Sequence, residues 1–343
     1  MNKEEKRNNH VAELVSVRRI WDRAPWNGNS ELIRFKDRWF CAFREAESHF
    51  AGALGRRDDG LVRVIVSNDG EDWVSAAVLG EVGVDLRDPH LSVTPDGRLM
   101  LVVGGSFYKD TRCTNRRTRV SFSDDGLDWT SLVPVLGNQQ WLWRVTWHEG
   151  RAYGINRHIP TPSRISSDSY AHLRDRSARL VVSNDGLSYR NVTEIALPRP
   201  DESTLRFTDR GEMIAMVRTG PVSDAPFHGW IGHSLPPYDT WEWTETRHRF
   251  GGPDFTILPD GSIWGGSRGY PEDTPKGPGA GTVILAKMTN RSFEPVMTLP
   301  SGGDCSYPGL VWHEGLLWVS YYSSHEGNTN QYLAKLRLSD RAS

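Results

Sequence analysis

Three stretches of this chain carry the same short pattern: Ser67-Asn68-Asp69-Gly70-Glu71-Asp72-Trp73, Ser123-Asp124-Asp125-Gly126-Leu127-Asp128-Trp129 and Ser183-Asn184-Asp185-Gly186-Leu187-Ser188-Tyr189. Each closes a run of β-type residues such as Leu61 to Val66. The pattern Ser-x-Asp-Gly-x-x-aromatic is the chemistry of a turn. The aspartate can accept backbone amides two residues on, and the glycine takes a positive φ that other residues resist. The aromatic ring then anchors the returning strand. Recurrence at a regular spacing of roughly sixty residues marks a repeat architecture, so the repeat governs the fold.

A second element recurs more completely. It is strand, polar turn, strand, and six copies can be laid out: Leu32 to Phe43, Leu91 to Gly104, Val145 to Arg157, Leu205 to Arg218, Phe255 to Arg268 and Leu310 to Tyr322. Each is followed by a third and fourth strand, and after the first three hairpins the Ser-x-Asp-Gly turn joins that second pair. Four antiparallel strands repeated six times predict an all-β, six-bladed β-propeller spanning residues 11–340 as one domain. Only one clear strand, Gln331 to Leu338, follows the sixth hairpin, while Leu14 to Ile20 precedes the first without a partner. Pairing the two would complete the last blade, latch the ring and remove an exposed edge. The polar segments Ala46 to Asp59, Thr161 to Ser177 and Pro271 to Gly281 read as insertions over the surface, and both termini should fray.

Composition narrows the partners. The 343 residues carry 41 Lys and Arg against 43 Asp and Glu, a net charge of −2. That balance gives no basic face for nucleic acid and no field for an anionic membrane, and no apolar run is long enough to cross a bilayer. The first residues are charged and lack the apolar core of a secretion signal, so a cytoplasmic location is expected. Cys41, Cys113 and Cys305 lie far apart and are expected as buried thiols. With no Gly-rich phosphate loop, zinc-type His/Cys cluster or Ser-His-Asp elbow, no cofactor is implied.

Propeller topology places the first and third turns of each blade on one rim and the start of the hairpin on the other. The residues flanking the hairpin mouths should therefore converge. They are unusually ionisable: Arg23, Asn29, Glu31, Arg44, Glu45, Glu47 and His49 around the first, Arg87, Asp88 and His90 at the second, Arg144, Arg157 and His158 at the third. Asp201, Glu202 and Arg218 frame the fourth, Asp254 and Arg268 the fifth, Asp304 and Tyr307 the sixth. A funnel of arginines and carboxylates suits an anionic, polyhydroxylated ligand, with Trp141, Trp143 and Trp147 as stacking faces. The same Arg–Asp pairs can instead tie neighbouring blades together.

On these residues the chain resembles the sialidase (neuraminidase) superfamily, six-bladed propellers with Asp boxes. Each copy of the box is one residue shorter than the usual Ser-x-Asp-x-Gly-x-x-Trp. In that family a Glu opens the fourth hairpin and an Arg ends it, as Glu202 and Arg218 do. A further Arg follows in the next blade, matched by Arg268, and a Tyr opens the last blade, matched by Tyr307 in Cys305-Ser306-Tyr307-Pro308-Gly309-Leu310. The family's Arg-Ile-Pro is not cleanly present: Arg23-Ala24-Pro25 has the position and Arg19-Ile20-Trp21 the letters. Its catalytic Asp is missing from the loop after the first hairpin, where Glu45, Glu47, His49, Asp58 and Asp59 are the alternatives.

The resemblance implies a hydrolase removing a terminal acidic sugar, sialic acid or a related ulosonic or uronic acid. A neutral Tyr nucleophile avoids meeting the substrate carboxylate, and a Glu takes its proton. Arginines, here Arg23, Arg44, Arg144, Arg157, Arg218 and Arg268 as candidates, grip the carboxylate. His49 stands as the candidate for the acid that protonates the leaving oxygen. Arg87-Asp88-Pro89 resembles the Arg-Asp-Pro of five-bladed fructan and arabinan hydrolases, which makes Asp88 a further catalytic candidate. Two alternatives remain: a lyase using His49 and Tyr307 on a uronate, and a carbohydrate-binding propeller without activity.

Overall fold

The computed structural model describes residues 12–49, 60–109, 112–159, 176–220, 228–270 and 281–339. These form six antiparallel sheets in a ring, a six-bladed β-propeller. The first blade runs from its inner strand Trp26–Phe35 outward through Arg38–Ala46 and Leu61–Ser67 to Val74–Leu79. The second uses Asp85–Val93, Leu99–Lys109, Arg112–Ser123 and a two-residue outer strand, Val133–Pro134. In the third the inner strand is interrupted, Gln140–Leu142 and then Thr146–His148, before Arg151–His158, Ser177–Ser183 and Tyr189–Glu194. The hairpin read from Val145 onward therefore misses the upstream piece, which lies beyond an irregular stretch at Trp143 to Val145.

The fourth blade is Pro200–Phe207, Met213–Thr219, Trp230–Ser234 and Glu242–Glu245, and the fifth Asp254–Ile257, Ile263–Gly269, Thr282–Met288 and Phe293–Leu299. The sixth contains Cys305–His313, Leu316–Ser323 and Asn330–Leu338, and its outer strand is the amino-terminal Ala12–Trp21. That strand pairs from Ala12 opposite Leu338 to Trp21 opposite Gln331, which is the ring closure expected from Leu14 to Ile20. Residues 50–59, 160–175 and 271–280, most of the insertions read from the sequence, and the fraying ends lie outside the described residues.

Packing follows the ring. One apolar cluster fills each interface between neighbours: Phe40, Val64, Leu86 and Leu101 between the first and second blades, for example, and Met100, Phe122, Leu142 and Val181 between the second and third. Leu285, Leu299, Leu317 and Val319 join the fifth to the sixth, and Trp39, Phe43, Trp318 and Leu333 carry the sixth back to the first. Alternation of side chains along each strand presents one apolar row to each neighbour. The three cysteines are free and buried.

The Ser-x-Asp-Gly turns are built alike. The Ser67 Oγ accepts the Gly70 amide at 2.8 Å, and the Asp69 Oδ1 accepts the amides of Glu71 and Asp72 at 2.8 and 3.1 Å. Asp125 and Asp185 repeat this arrangement. Gly70, Gly126 and Gly186 have φ of 77°, 80° and 75°. Each also abuts the second strand of the preceding blade: a Cβ at Gly70 would strike Trp318, at Gly126 Phe40, and at Gly186 would lie 3.0 Å from Met100. The turns are thus spacers between blades, at the rim away from the hairpin mouths. Gly126→Ala adds backbone strain to a clash with Phe40 and is expected to cost about 2–4 kcal/mol in urea unfolding. Gly97→Ala, with a similar φ of 77° but open space around it, should cost only about 1 kcal/mol.

Candidate active site

One local device brings the inner strands to a common point. The register slips between Gly28 and Glu31, Arg87 and His90, Pro200 and Ser203, and Ser306 and Gly309, so blades one, two, four and six each carry a bulge at the top of the inner strand. Asn29, Asp88, Arg199, Gly252 and Tyr307 have φ between 51° and 59°. In four cases the next residue is proline: Asp88-Pro89, Arg199-Pro200, Gly252-Pro253 and Tyr307-Pro308. Proline offers no amide to the ladder, so the strand leaves its partner there. The bulge re-aims the side chains around it. Positive φ at a non-glycine residue is strained, and strain of this kind collects at functional sites.

Tyr307 is the focus. It is buried, and its hydroxyl donates to Glu202 Oε1 at 3.2 Å. Its ring lies 5.4 Å from Trp143 and 5.8 Å from Tyr322, inside an aromatic cluster completed by Trp26 and Trp141. Glu202 is gripped twice more, by Arg218 Nη1 at 2.5 Å and by the Gly252 amide at 2.5 Å. Burial pushes the Glu202 carboxyl up, but the Arg218 charge, its hydrogen bond and the Gly252 amide outweigh it and leave the group at about 2. Burial drives the Tyr307 phenol well above its ordinary value, and the nearby charges of Asp88 and Glu202 add to this.

Asp88 is the counterpart. Its carboxyl is buried and accepts from the Asn29 amide. Burial raises it, Arg87 pulls it back and Glu202 raises it again, to about 6. One site thus holds two carboxyls forced apart in acidity, one ionised and one that keeps its proton to near neutrality. Separation of this kind suits one group to accept a proton and the other to give one.

The other candidates divide. Arg268 stands beside this centre, its Nη2 donating to Tyr322 Oη at 2.8 Å and lying 3.3 Å from Asp304 Oδ1, its Nε on the Cys305 carbonyl at 2.6 Å. His49 Nδ1 meets Asp304 Oδ2 at 2.6 Å, and Trp26 Nε1 donates to the same oxygen at 3.2 Å. Burial holds His49 below its usual value despite Asp304, so it is largely neutral where a general acid must carry a proton. Arg157 forms ion pairs with Asp201, which Arg176 shares, and lies over the Trp141 ring at 4.5 Å. Sequence reasoning passed over Arg176, which lies at the edge of an insertion.

Three of the expected arginines are not at this centre in the same sense. Arg44 is fully buried and donates its Nε to Asp85 Oδ1 at 2.8 Å, a tie from the first blade to the second. Arg144 pairs with Glu31 at 3.0 Å and with Asp254, in a group with the buried His90 and the half-buried Arg206 that draws one residue from the inner edge of each of five blades. Arg23 is exposed and sits on the Trp21 ring at 4.4 Å. Glu45 pairs with Arg63 and accepts from Trp21, away from Tyr307, and Glu47 is exposed. Asp58 and Asp59 lie outside the described residues.

No family model and no curated protein matches the chain. Among solved structures, a protein of unknown function from Dyadobacter fermentans is similar with a TM-score of 0.77 at 16% identity, over 96% of this chain and 100% of that one. The α-L-arabinanase of Penicillium chrysogenum follows at TM-score 0.68 and 13% identity, over 94% and 98%. Trypanosoma rangeli sialidase has TM-score 0.68 at 10% identity, over 91% of this chain and 55% of that chain. The likeness is one of fold, to propellers that include glycoside hydrolases.

Proposed function

We propose that this propeller is a glycoside hydrolase that removes a terminal acidic sugar, sialic acid or a related ulosonic or uronic acid, through Tyr307. The observation carrying the reading is the hydrogen bond of 3.2 Å from the Tyr307 hydroxyl to a buried, ionised Glu202. Tyr307 Oη bonds to the anomeric carbon as its proton passes to Glu202. The bond to the leaving oxygen breaks and that oxygen takes the proton of Asp88. Water, deprotonated by Asp88, then bonds to the anomeric carbon, the bond to Tyr307 breaks, and the tyrosyl oxygen takes back the proton held by Glu202.

Glu202 held at about 2 is a weak base while Arg218 sits on it. A substrate carboxylate competing for Arg218 removes that stabilisation and raises the basicity of Glu202 when the sugar is in place. Arg157 and Arg268 supply further positive charge, though both also face protein carboxylates. The test is release of an acidic monosaccharide from a glycan panel. Glycosides reduced at the carboxylate should lose turnover as well as affinity; equal kcat on both would contradict the role of Arg218.

The pH profile is a second test. Asp88 must be protonated to act as acid, so its carboxyl at about 6 sets an alkaline limb: activity is full below that pH and falls as pH rises through it. In kcat/KM, which reports the free enzyme, Glu202 is ionised above about 2 and adds no acid limb in the ordinary range. Asp88→Asn is expected to lower kcat about 10²–10⁴-fold and abolish the limb. A limb that survives in this variant would assign it to another group.

His49 supports a second reading. A neutral imidazole oriented by Asp304 is suited to abstract a proton, as a uronate lyase requires. An unsaturated product absorbing in the ultraviolet would decide for it.

A further inference from the structure

The third blade carries a cavity of 270 Å³, lined by Gln140, Asn156, His158, Ser177, Arg179 and Asn191, one shelf across the strands Gln140–Leu142, Arg151–His158, Ser177–Ser183 and Tyr189–Glu194. The register explains the convergence: Gln140 lies opposite His158, Asn156 opposite Arg179 and His158 opposite Ser177. Their volume suits a single small ring, below the roughly 300–1,000 Å³ of drug-sized sites.

The lining is chemically specific. Three side-chain amides, a hydroxyl, an imidazole and the exposed Arg179 guanidinium offer both donors and acceptors, and no carboxylate is among them. Asn156 is only 7% exposed; its Nδ2 donates to Gln140 Oε1 at 2.9 Å, while its Oδ1 has no partner among the described residues. A buried acceptor of this kind costs free energy until a donor reaches it. Vicinal hydroxyls, each donor and acceptor at once, match the amides. We propose that this shelf is a second carbohydrate subsite, taking a sugar ring by its hydroxyl groups. It shares the strands of the candidate active site, since Gln140 adjoins Trp141 and His158 adjoins Arg157, whose side chains belong to the Tyr307 surroundings. The proposal does not need the hydrolase reading to hold.

The probes are lactose and N-acetyllactosamine, read by saturation-transfer NMR on the intact chain. Transfer at millimolar sugar is expected, unchanged in Tyr307→Phe and about tenfold weaker in Asn156→Ala, for the loss of one or two hydrogen bonds. Asn191→Ala, at an exposed position of the outer strand, gives the same test without disturbing the core. Absence of transfer in the wild type, or equal transfer in wild type and both shelf variants, overturns the subsite. Transfer that persists in a protein without hydrolase activity on any glycan overturns the catalytic reading and leaves this one standing.

Discussion

Tyr307→Phe is expected to abolish turnover on the glycan that the wild type cleaves, lowering kcat by at least about 10³-fold, while leaving the fold and ground-state binding nearly intact. The variant removes one oxygen. That oxygen donates to Glu202 and is the nucleophile of the proposed mechanism, so its loss removes the covalent route altogether. The phenyl ring keeps its contacts with Trp143 and Tyr322, so circular dichroism and the urea midpoint should move little. Glu202→Gln should cost a comparable factor for a different reason: Arg218 and the Gly252 amide lose their anion and Tyr307 loses its base. Removing groups that act together is not additive, so the double variant should be scarcely worse than either single one. Turnover retained in Tyr307→Phe would remove the mechanism, whatever the substrate.

The largest effect on stability is expected at Asp85. Its carboxylate accepts from Arg44 Nε and lies 2.8 Å from Arg44 Nη2, with Arg87 at 3.2 Å and the Gly60 amide at 3.0 Å. Burial works against the charged form, but Arg44 and Arg87 hold the carboxyl below its ordinary value. Asp85→Ala strands a fully buried guanidinium between two blades, and breaking a buried pair from one side costs about 3–5 kcal/mol. Arg44→Met combined with Asp85→Leu should recover much of that loss, because uncharged side chains of similar size remove both desolvated charges. Urea unfolding of the three proteins checks this. Linkage gives the same sign: with its folded value depressed, Asp85 contributes stability above the ordinary carboxylate range, and that stability is lost as pH falls through the folded value. A single variant as stable as the wild type would mean that Arg44 is free to reach the funnel after all.

The ring was legible because its signals are local and repeated. Asp69, Asp125 and Asp185 each capture the amides that the Ser-x-Asp-Gly pattern requires, and the unpaired Leu14 to Ile20 had one partner left to find. The pairing of Glu202 with Arg218 was legible too, since the two sit on adjacent strands of one hairpin. What the arginines do was not. Arg44 and Arg144 stand at hairpin mouths as Arg218 does, yet they point into the packing between and beneath the blades, where Asp85, Glu31 and Asp254 meet them. Arg44 and Arg218 both stand near the end of a second strand, so strand position alone does not fix which way the side chain turns. The inner-strand bulges show it too: a proline after a positive-φ residue marks three of the four, at Asp88, Arg199 and Tyr307, spread over distant parts of the chain.

His49 shows the same limit. Its place in a polar loop made it a candidate acid, but its partner, Asp304, lies 255 residues away in the sequence, and partial burial lowers the value of the imidazole. Asp88, suggested by a three-residue resemblance to propellers with five blades, becomes a weaker acid only through burial and the charge of Glu202.

The most direct measurement is a crystal structure of Tyr307→Phe soaked with the glycan that the wild type cleaves. The account predicts the terminal sugar over residue 307, its anomeric carbon about 3–3.5 Å from the site of the missing oxygen, its carboxylate on Arg218 and its leaving oxygen on Asp88. A sugar bound elsewhere on the ring, or seated here with its carboxylate turned away from Arg218, would contradict it.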